Sequence, residues 1–395
     1  MTEPFYASPE LHKLPTPFYV YDLAGLRGRV AKFKSSLPAN AHIHFAMKSN
    51  NNLEILKALH ECGLGVDLVS AGEMRRAHEA GFTPEEMIFS GVGKTADEIS
   101  AALEMNIHQL NVESLPELER IADLAAQAKK QARVALRMNP DIEVDTHPYI
   151  RTGFHENKFG FDFSEIPNAV EILKTHANVL TLQGLTLHIG SQIRDLVAFR
   201  EAIRKTLKLW QQLNTQGFTL TSFDVGGGVG IDYLSADLAK DEELIAAYGK
   251  MIETEVPSIV NRIDLEPGRI LIARFGALIT EVQYVKRTPY KNFVIVDAGM
   301  NALMRPALYE AHHRILRIGG RTAAKSSDGR TQVFDIVGPI CESADVLGYK
   351  RVMPSDIKAG DRLAILDVGA YGYVMSSQYN LREPLKEYIL NGVTL

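Results

Sequence analysis

Cysteine is scarce in this chain: Cys62 and Cys341 are the only two in 395 residues. Such a count makes a disulfide framework improbable and points to a reducing, cytoplasmic setting. Long apolar runs are missing too, and no stretch approaches the roughly 20 residues that a bilayer span requires. The opening MTEPFYASPELHKLPTPF has neither a basic start nor an apolar core, so no export signal is expected. Strong charge of one sign is also lacking: 43 Lys and Arg face 48 Asp and Glu, a formal net charge of -5. That balance gives no electrostatic reason to expect nucleic acid or an anionic membrane as partner. Cys/His clusters at zinc spacing are absent as well. The pairs His42/His44 and His312/His313 therefore read as structural histidines, and no metal is expected.

What is present is an ordinary globular balance, 46% hydrophobic and 23% charged, in a chain long enough for one large domain and a smaller one. Strand signals recur at 42–48, 65–70, 86–90, 109–113, 133–139, 182–188, 222–226 and 262–266. Amphipathic helical runs lie between them, among them 71–80, 96–105, 115–129, 196–213 and 242–260. Eight strands with helical crossovers predict a closed (β/α)8 barrel rather than an open doubly wound sheet. Beyond Arg269 the pattern changes to strands joined by turns, at 277–286, 292–297, 332–337 and 362–367. A further strand signal at 16–22 precedes the barrel and is expected to join that β-rich part. The predicted division is an N-terminal strand of the β domain (1–24), a barrel (25–275) and a β-rich domain (276–395). The longest irregular piece, 139–164, is long enough to be functional or mobile.

The chemistry is carried by what stands at the strand ends, because all eight ends of such a barrel share the face that bears active sites. The first strand ends in Lys48, where Ser49-Asn50-Asn51-Asn52 supply turn and cap chemistry. The sixth ends in His188-Ile189-Gly190-Ser191, the seventh in Gly226-Gly227-Gly228-Val229-Gly230-Ile231, the eighth in Glu266-Pro267-Gly268-Arg269. Taken singly, each has a plain alternative: a snorkelling lysine, a core histidine, a flexible glycine turn, a Glu266–Arg269 ion pair. Together they offer an imine-forming lysine, backbone and hydroxyl donors for a phosphate, a flat ring and a carboxylate. Those are the parts a pyridoxal phosphate site requires. Ser90-Gly91-Val92-Gly93-Lys94-Thr95 imitates a nucleotide loop, but its required first glycine falls on Ile88, and Thr95 reads as a helix N-cap.

Phe45-Ala46-Met47-Lys48-Ser49-Asn50, His188-Ile189-Gly190-Ser191-Gln192-Ile193, the Gly226–Gly228 run and Glu266-Pro267-Gly268-Arg269 resemble signatures of the alanine-racemase-fold (fold type III) pyridoxal-phosphate decarboxylases. The β-rich part adds Asp297-Ala298-Gly299-Met300-Asn301, Met304-Arg305-Pro306-Ala307-Leu308-Tyr309, Gly338-Pro339-Ile340-Cys341-Glu342-Ser343 and Gly369-Ala370-Tyr371-Gly372. With His147-Pro148-Tyr149-Ile150-Arg151-Thr152-Gly153 and Lys158-Phe159-Gly160, the set covers nearly the whole chain. It is most similar to the diaminopimelate decarboxylase family.

The resemblance implies pyridoxal 5'-phosphate as cofactor and conversion of meso-2,6-diaminopimelate to L-lysine and carbon dioxide. Relatives of the same fold act on carboxynorspermidine or other amino acids, and some are non-catalytic. It implies that Lys48 carries the cofactor covalently. Asp67, His188, Ser191, Gly226, Gly227, Gly228, Glu266, Pro267, Gly268, Arg269 and Tyr371 would line the cofactor site. Arg269, Arg305, Tyr309, Glu342 and Tyr371 would hold the substrate, Glu342 on its distal ammonium. Cys341 would return a proton after carbon dioxide leaves. Cys341 and Glu342 would reach the site of a partner subunit, which implies a homodimer. Elementary chemistry agrees with that division: a thiol of pKa about 8.5 serves as a general acid near neutrality. Two arginines suit a substrate that keeps a second carboxylate. Ser49 and Gln378 stand where the family commonly has alanine and asparagine, and Glu310 and His312 replace smaller or aromatic residues.

Overall fold

The computed structural model describes residues 4–142, 158–319, 322–323 and 329–391. The chain divides into two compact units. One comprises Val30–Ile231 with Leu238–Ile270, and the other Met1–Arg29, Asp232–Asp237 and Leu271–Leu395. The boundaries drawn from sequence do not see this interleaving, in which 25–29, 232–237 and 271–275 belong with the β-rich unit.

The first unit is a closed eight-stranded parallel barrel. After β1 (Phe18–Asp22), its strands are β2 (Ala41–Ala46), β3 (Gly65–Leu68), β4 (Met87–Phe89), β5 (Gln109–Val112), β6 (Ala132–Met138), β7 (Leu180–Leu187), β8 (Ser222–Asp224) and β9 (Arg262–Leu265). They are short and nearly continuously apolar because parallel strands in a helix-jacketed barrel are covered on both faces. The exceptions are informative. Asp67, Asn111, Arg137, Asp224 and Asp264 are buried polar residues within these strands, and register sets Asp67 opposite Ala46 and Asp224 opposite Asp264.

The helices are α1 (Leu23–Ser35), α2 (Leu53–Glu61), α3 (Ala71–Glu79), α4 (Ala96–Met105), α5 (Leu115–Ala128), α6 (Ile166–Thr175), α7 (Leu196–Thr215), α8 (Leu238–Glu255) and the short α9 (Arg269–Ile272) and α10 (Arg305–Tyr309). Caps fix where they begin. Asn52 accepts from Glu54 and Ile55 N–H ahead of α2, and Thr95 with Glu98 forms a reciprocal capping box on α4. The long α7 buries Phe199, Ala202, Ile203, Thr206, Trp210 and Leu213, one helical stripe. The helix α1 is an addition to the sequence reading, and α6 is one of the expected crossovers, its bounds left open by the sequence. In α1, two glycines and five charged or small polar residues dilute the apolar period; α6 opens Ile-Pro directly after the irregular stretch.

The second unit is a nine-stranded sheet in the order β13–β12–β16–β10–β11–β14–β15. These are β10 (Gly276–Arg287), β11 (Asn292–Val296), β12 (Ile315–Gly319), β13 (Thr322–Ala323), β14 (Thr331–Val337), β15 (Val346–Pro354) and β16 (Arg362–Leu366). The expected N-terminal strand joins it: β1 runs antiparallel to β10 and parallel to β17 (Lys386–Leu390). Phe18 and Val20 pack there with Ala277, Ile279, Ala364, Leu366 and Leu390. The strands β12, β13, β15 and β17 escape the sequence pattern. In β15, Lys350 takes a left-handed φ of 49° and the pairing with β14 shifts register, so no simple alternation survives. Among the described residues no helix is long and apolar enough to cross a membrane.

Candidate active site

The strand that delivers Lys48 ends at Ala46, and a single 3-10 turn, Met47–Ser49, carries the lysine out of the barrel wall. Its Nζ donates to Asp67 Oδ2 at 2.8 Å, from a side chain one-third exposed to one fully buried. Asp67 sits on the neighbouring strand beside Ala46, so barrel register alone brings the pair together. Ser49 turns its hydroxyl back to the Ala46 carbonyl at 2.8 Å, which satisfies the extra oxygen relative to alanine. The turn is braced by Gly268, where a Cβ would lie 2.8 Å from Ser49 Oγ.

Glu266, just past β9, is buried and accepts from Asn111 Nδ2 at 3.1 Å and Ser90 Oγ at 3.4 Å. The expected alternative, an ion pair with Arg269, is not what forms. Arg269 turns instead to Ser191 Oγ at 3.0 Å, tying the ends of β7 and β9. Burial, then the charges of Asp224 and Asp67, push the Glu266 carboxyl well above the usual carboxylate range; Lys48 and Arg137 only partly offset them. Asp224 is itself raised to about 6, first by burial and then by Asp264. His188 moves the other way: burial, then Arg137 and Lys48, hold its imidazole neutral. Its Nδ1 accepts the Gly227 N–H at 3.3 Å.

The glycine run is a close-packed corner rather than a flexible turn. Gly226 and Gly228 take φ of 68° and 107°. A Cβ on Gly226 would stand 2.0 Å from the Leu187 carbonyl oxygen, and one on Gly227 2.0 Å from that of Glu266. The run is laced to the Gly190–Ile193 loop: Ile193 N–H donates to Gly228 O, Gly230 N–H to Ile193 O, and Gln192 Nε2 to Ile231 O. Gly226 and Gly227 are buried, and their N–H groups are taken by Asp224 Oδ1 at 2.7 Å and His188 Nδ1 at 3.3 Å, whereas Gly228 is half-buried at the end of the run.

Lys48, His188 and Glu266 wall a cavity of about 160 Å3 that also meets Asn111, Arg137 and Phe159. Phe159 belongs to the Lys158-Phe159-Gly160 motif, but sequence reasoning did not single out Asn111 and Arg137. Arg137 is ion-paired with buried Glu113 at 2.8 Å and lies 4.9 Å over the Phe159 ring. The available signal was a polar residue inside an apolar strand, LNV for Asn111 and LRM for Arg137. The His147–Gly153 motif and most of the 139–164 stretch lie outside the described residues.

The remaining expected site residues belong to the β-rich unit. Arg305 opens α10, is buried, and donates to Tyr233 Oη at 3.1 Å while approaching His313 Nε2 at 3.0 Å. Tyr309 closes that helix, and Glu310 after it takes a left-handed φ of 52° with its side chain exposed. Tyr371 holds a left-handed φ of 57°, a strained setting for an aromatic residue. Cys341 and Glu342 are exposed on the Gly338–Asp345 loop.

Residues 23–273 match the family model described as pyridoxal-dependent decarboxylase, pyridoxal binding domain, which defines the class. Named relatives narrow it. The chain is 39% identical over 375 residues to the diaminopimelate decarboxylase of Aquifex aeolicus (strain VF5), covering 95% of this chain and 86% of the relative. It is 42% identical over 381 residues to that of Helicobacter pylori (strain J99), covering 95% and 90%. The crystal structure of diaminopimelate decarboxylase from Helicobacter pylori complexed with L-lysine superimposes with a TM-score of 0.89 at 40% identity, over 96% of this chain and 93% of that one. The chain belongs to the diaminopimelate decarboxylases within the pyridoxal-dependent decarboxylase family.

Proposed function

We propose that this chain decarboxylates meso-2,6-diaminopimelate to L-lysine and carbon dioxide with pyridoxal 5'-phosphate in its barrel, as a cytoplasmic homodimer. The observation that carries the reading is the cavity walled by Lys48, His188 and Glu266, in a chain of this family. The residues there fit the cofactor: an amine at the rim, a neutral imidazole, a buried carboxyl that retains its proton, and a glycine corner no side chain could enter.

When bound, pyridoxal phosphate supplies a conjugated ring that accepts the electron pair left behind by departing carbon dioxide. Lys48 would hold it covalently, kept aimed by Asp67. Glu266 would face the ring nitrogen and hold a proton there, since burial favours the protonated form of its carboxyl. His188 would lie against the ring face. Gly226, Gly227, Gly228, Ser191, Gly268 and Arg269 would hold the phosphate, with Pro267 shaping the turn between Glu266 and Gly268. On the substrate side, Arg269, Arg305 and Tyr309 would hold the distal carboxylate and Glu342 the distal ammonium. Tyr371 would touch cofactor and substrate, and Cys341 would deliver the final proton. The exposure of Cys341 and Glu342 supports their service to a partner's site.

The test uses absorbance and gas release. The purified enzyme should show the visible band of covalently held cofactor, lost in Lys48→Ala. It should release carbon dioxide from diaminopimelate in preference to ornithine, arginine and carboxynorspermidine. Turnover of one of those with diaminopimelate inert would overturn the substrate assignment.

A further inference from the structure

The pair Cys341–Glu342 is exposed, and an exposed loop cannot aim a thiol and a carboxylate unless something holds it. Among its hydrogen bonds, four bear directly on the tip. Asp345 Oδ2 accepts the Ile340 N–H at 2.6 Å, and Glu342 N–H returns to Ile340 O at 2.8 Å. The other two come from one distant segment: Asn380 Oδ1 accepts the Cys341 N–H at 3.1 Å, and Tyr379 Oη donates to Glu342 Oε1 at 2.5 Å. Adjacent residues of one turn thus grip adjacent residues of another, one through the backbone and one through the side chain.

That turn carries backbone strain. Asn380 and Leu381 take successive left-handed φ values of 57° and 54°. Asparagine tolerates that region, but leucine does so only at a cost of about 1–2 kcal/mol. Leu381 is almost fully exposed, at 93%, so its own packing does not repay the strain. Strain of this kind persists where surroundings over-determine it, and what it secures is the reach of the Asn380 amide to Cys341. Behind the loop, Gly338 would put a Cβ 2.4 Å from Gly299 Cα, so the base is seated as tightly as its tip is gripped.

We propose that Tyr379 and Asn380 are positioning residues: Tyr379 fixes the Glu342 carboxylate for the substrate's distal ammonium, and Asn380 fixes the Cys341 backbone. The proposal rests on the decarboxylase reading of Glu342 and Cys341. An O–H···O⁻ bond is charge-assisted; without it the Glu342 side chain samples several rotamers, and the ordering cost falls on each ligand that binds.

Calorimetric titration of the holoenzyme with L-lysine and with 6-aminohexanoate isolates this effect, because the two ligands differ only in the α-ammonium. Tyr379→Phe should weaken L-lysine about tenfold, the loss of one hydrogen bond to a charged group, and leave 6-aminohexanoate unchanged. Glu342→Gln should do the same, and the double variant should be no weaker than Glu342→Gln alone. Equal effects on both ligands, no effect, or additive losses would overturn the role of Tyr379. Wild type that fails to prefer L-lysine would instead overturn the assignment of Glu342, and the proposal with it. For Asn380, turnover in D2O should give product of one deuterium configuration in wild type and in Asn380→Asp, which keeps the acceptor. Asn380→Ala should give mixed configuration. Identical stereochemistry in all three would refute the Cys341 half.

Discussion

Asp224, among the buried carboxylates inside the barrel, ties its ionisation to stability. Its folded value of about 6 lies above the ordinary 3.8, because burial and then Asp264 disfavour the charged form. The native state therefore keeps a proton that the unfolded chain gives up. Its stabilising contribution is complete below pH 3.8 and is lost as pH rises through about 6. His108 acts in the opposite sense. Burial, then Arg262, lower it to about 4, so its contribution is present above pH 6.5 and lost as pH falls through 4. Comparison of Asp224→Asn with wild type cancels His108. The variant should gain up to about 3 kcal/mol relative to wild type as pH rises across that window, measured by urea unfolding at several pH values. Parallel pH profiles would refute it. At this scale the strand-end residues Lys48, His188 and Glu266 were legible, because a reactive side chain at the carboxyl end of a barrel strand is unusual whatever surrounds it. Asn111, Arg137 and Asp224 were not, because their meaning depends on which barrel neighbour they meet, and register is not written in any one strand.

At the scale of elements, local chemistry was legible where a cap or a period is self-contained. Thr95 reads as an N-cap from sequence, and its hydroxyl accepts the Glu98 N–H at 3.2 Å while Glu98 answers the Thr95 N–H at 3.0 Å. Glu98 also accepts the Ala71 N–H at the start of α3, so the cap joins two helix starts. Thr95→Ala should cost about 1 kcal/mol, seen as a lower urea midpoint at unchanged slope. An unchanged midpoint would mean the hydroxyl contributes nothing beyond water. Elements that depend on distant partners were not legible. The strand β17 begins with Lys386 and Glu387 and has only its register against β1 to make it a strand, and β15 is disguised by the break at Lys350.

For the molecule as a whole, the barrel was legible because eight repeats of one pattern reinforce each other, while the second unit is assembled from three separate stretches of chain. The proposed homodimer gives a test at this scale. If Cys341 serves the partner's site, inactive Lys48→Ala and inactive Cys341→Ala chains, mixed and allowed to exchange, should regain about a quarter of wild-type turnover, since half the dimers are mixed and each has one intact site. Mixtures that stay inactive under proven exchange would show that each chain completes its own site.

The strand β1 is flanked by β10 and by β17, whose first paired residue is Lys386 against Phe18. On a ribosome, that strand emerges early and one of its two partners emerges more than 360 residues later. The apolar FYVY segment, fully buried in the finished sheet, must stay unpaired on one edge throughout most of synthesis. An unpaired strand edge is an invitation to aggregate. Overexpressed chains stalled or truncated before residue 386 should therefore depend on chaperones, even though their barrels are complete.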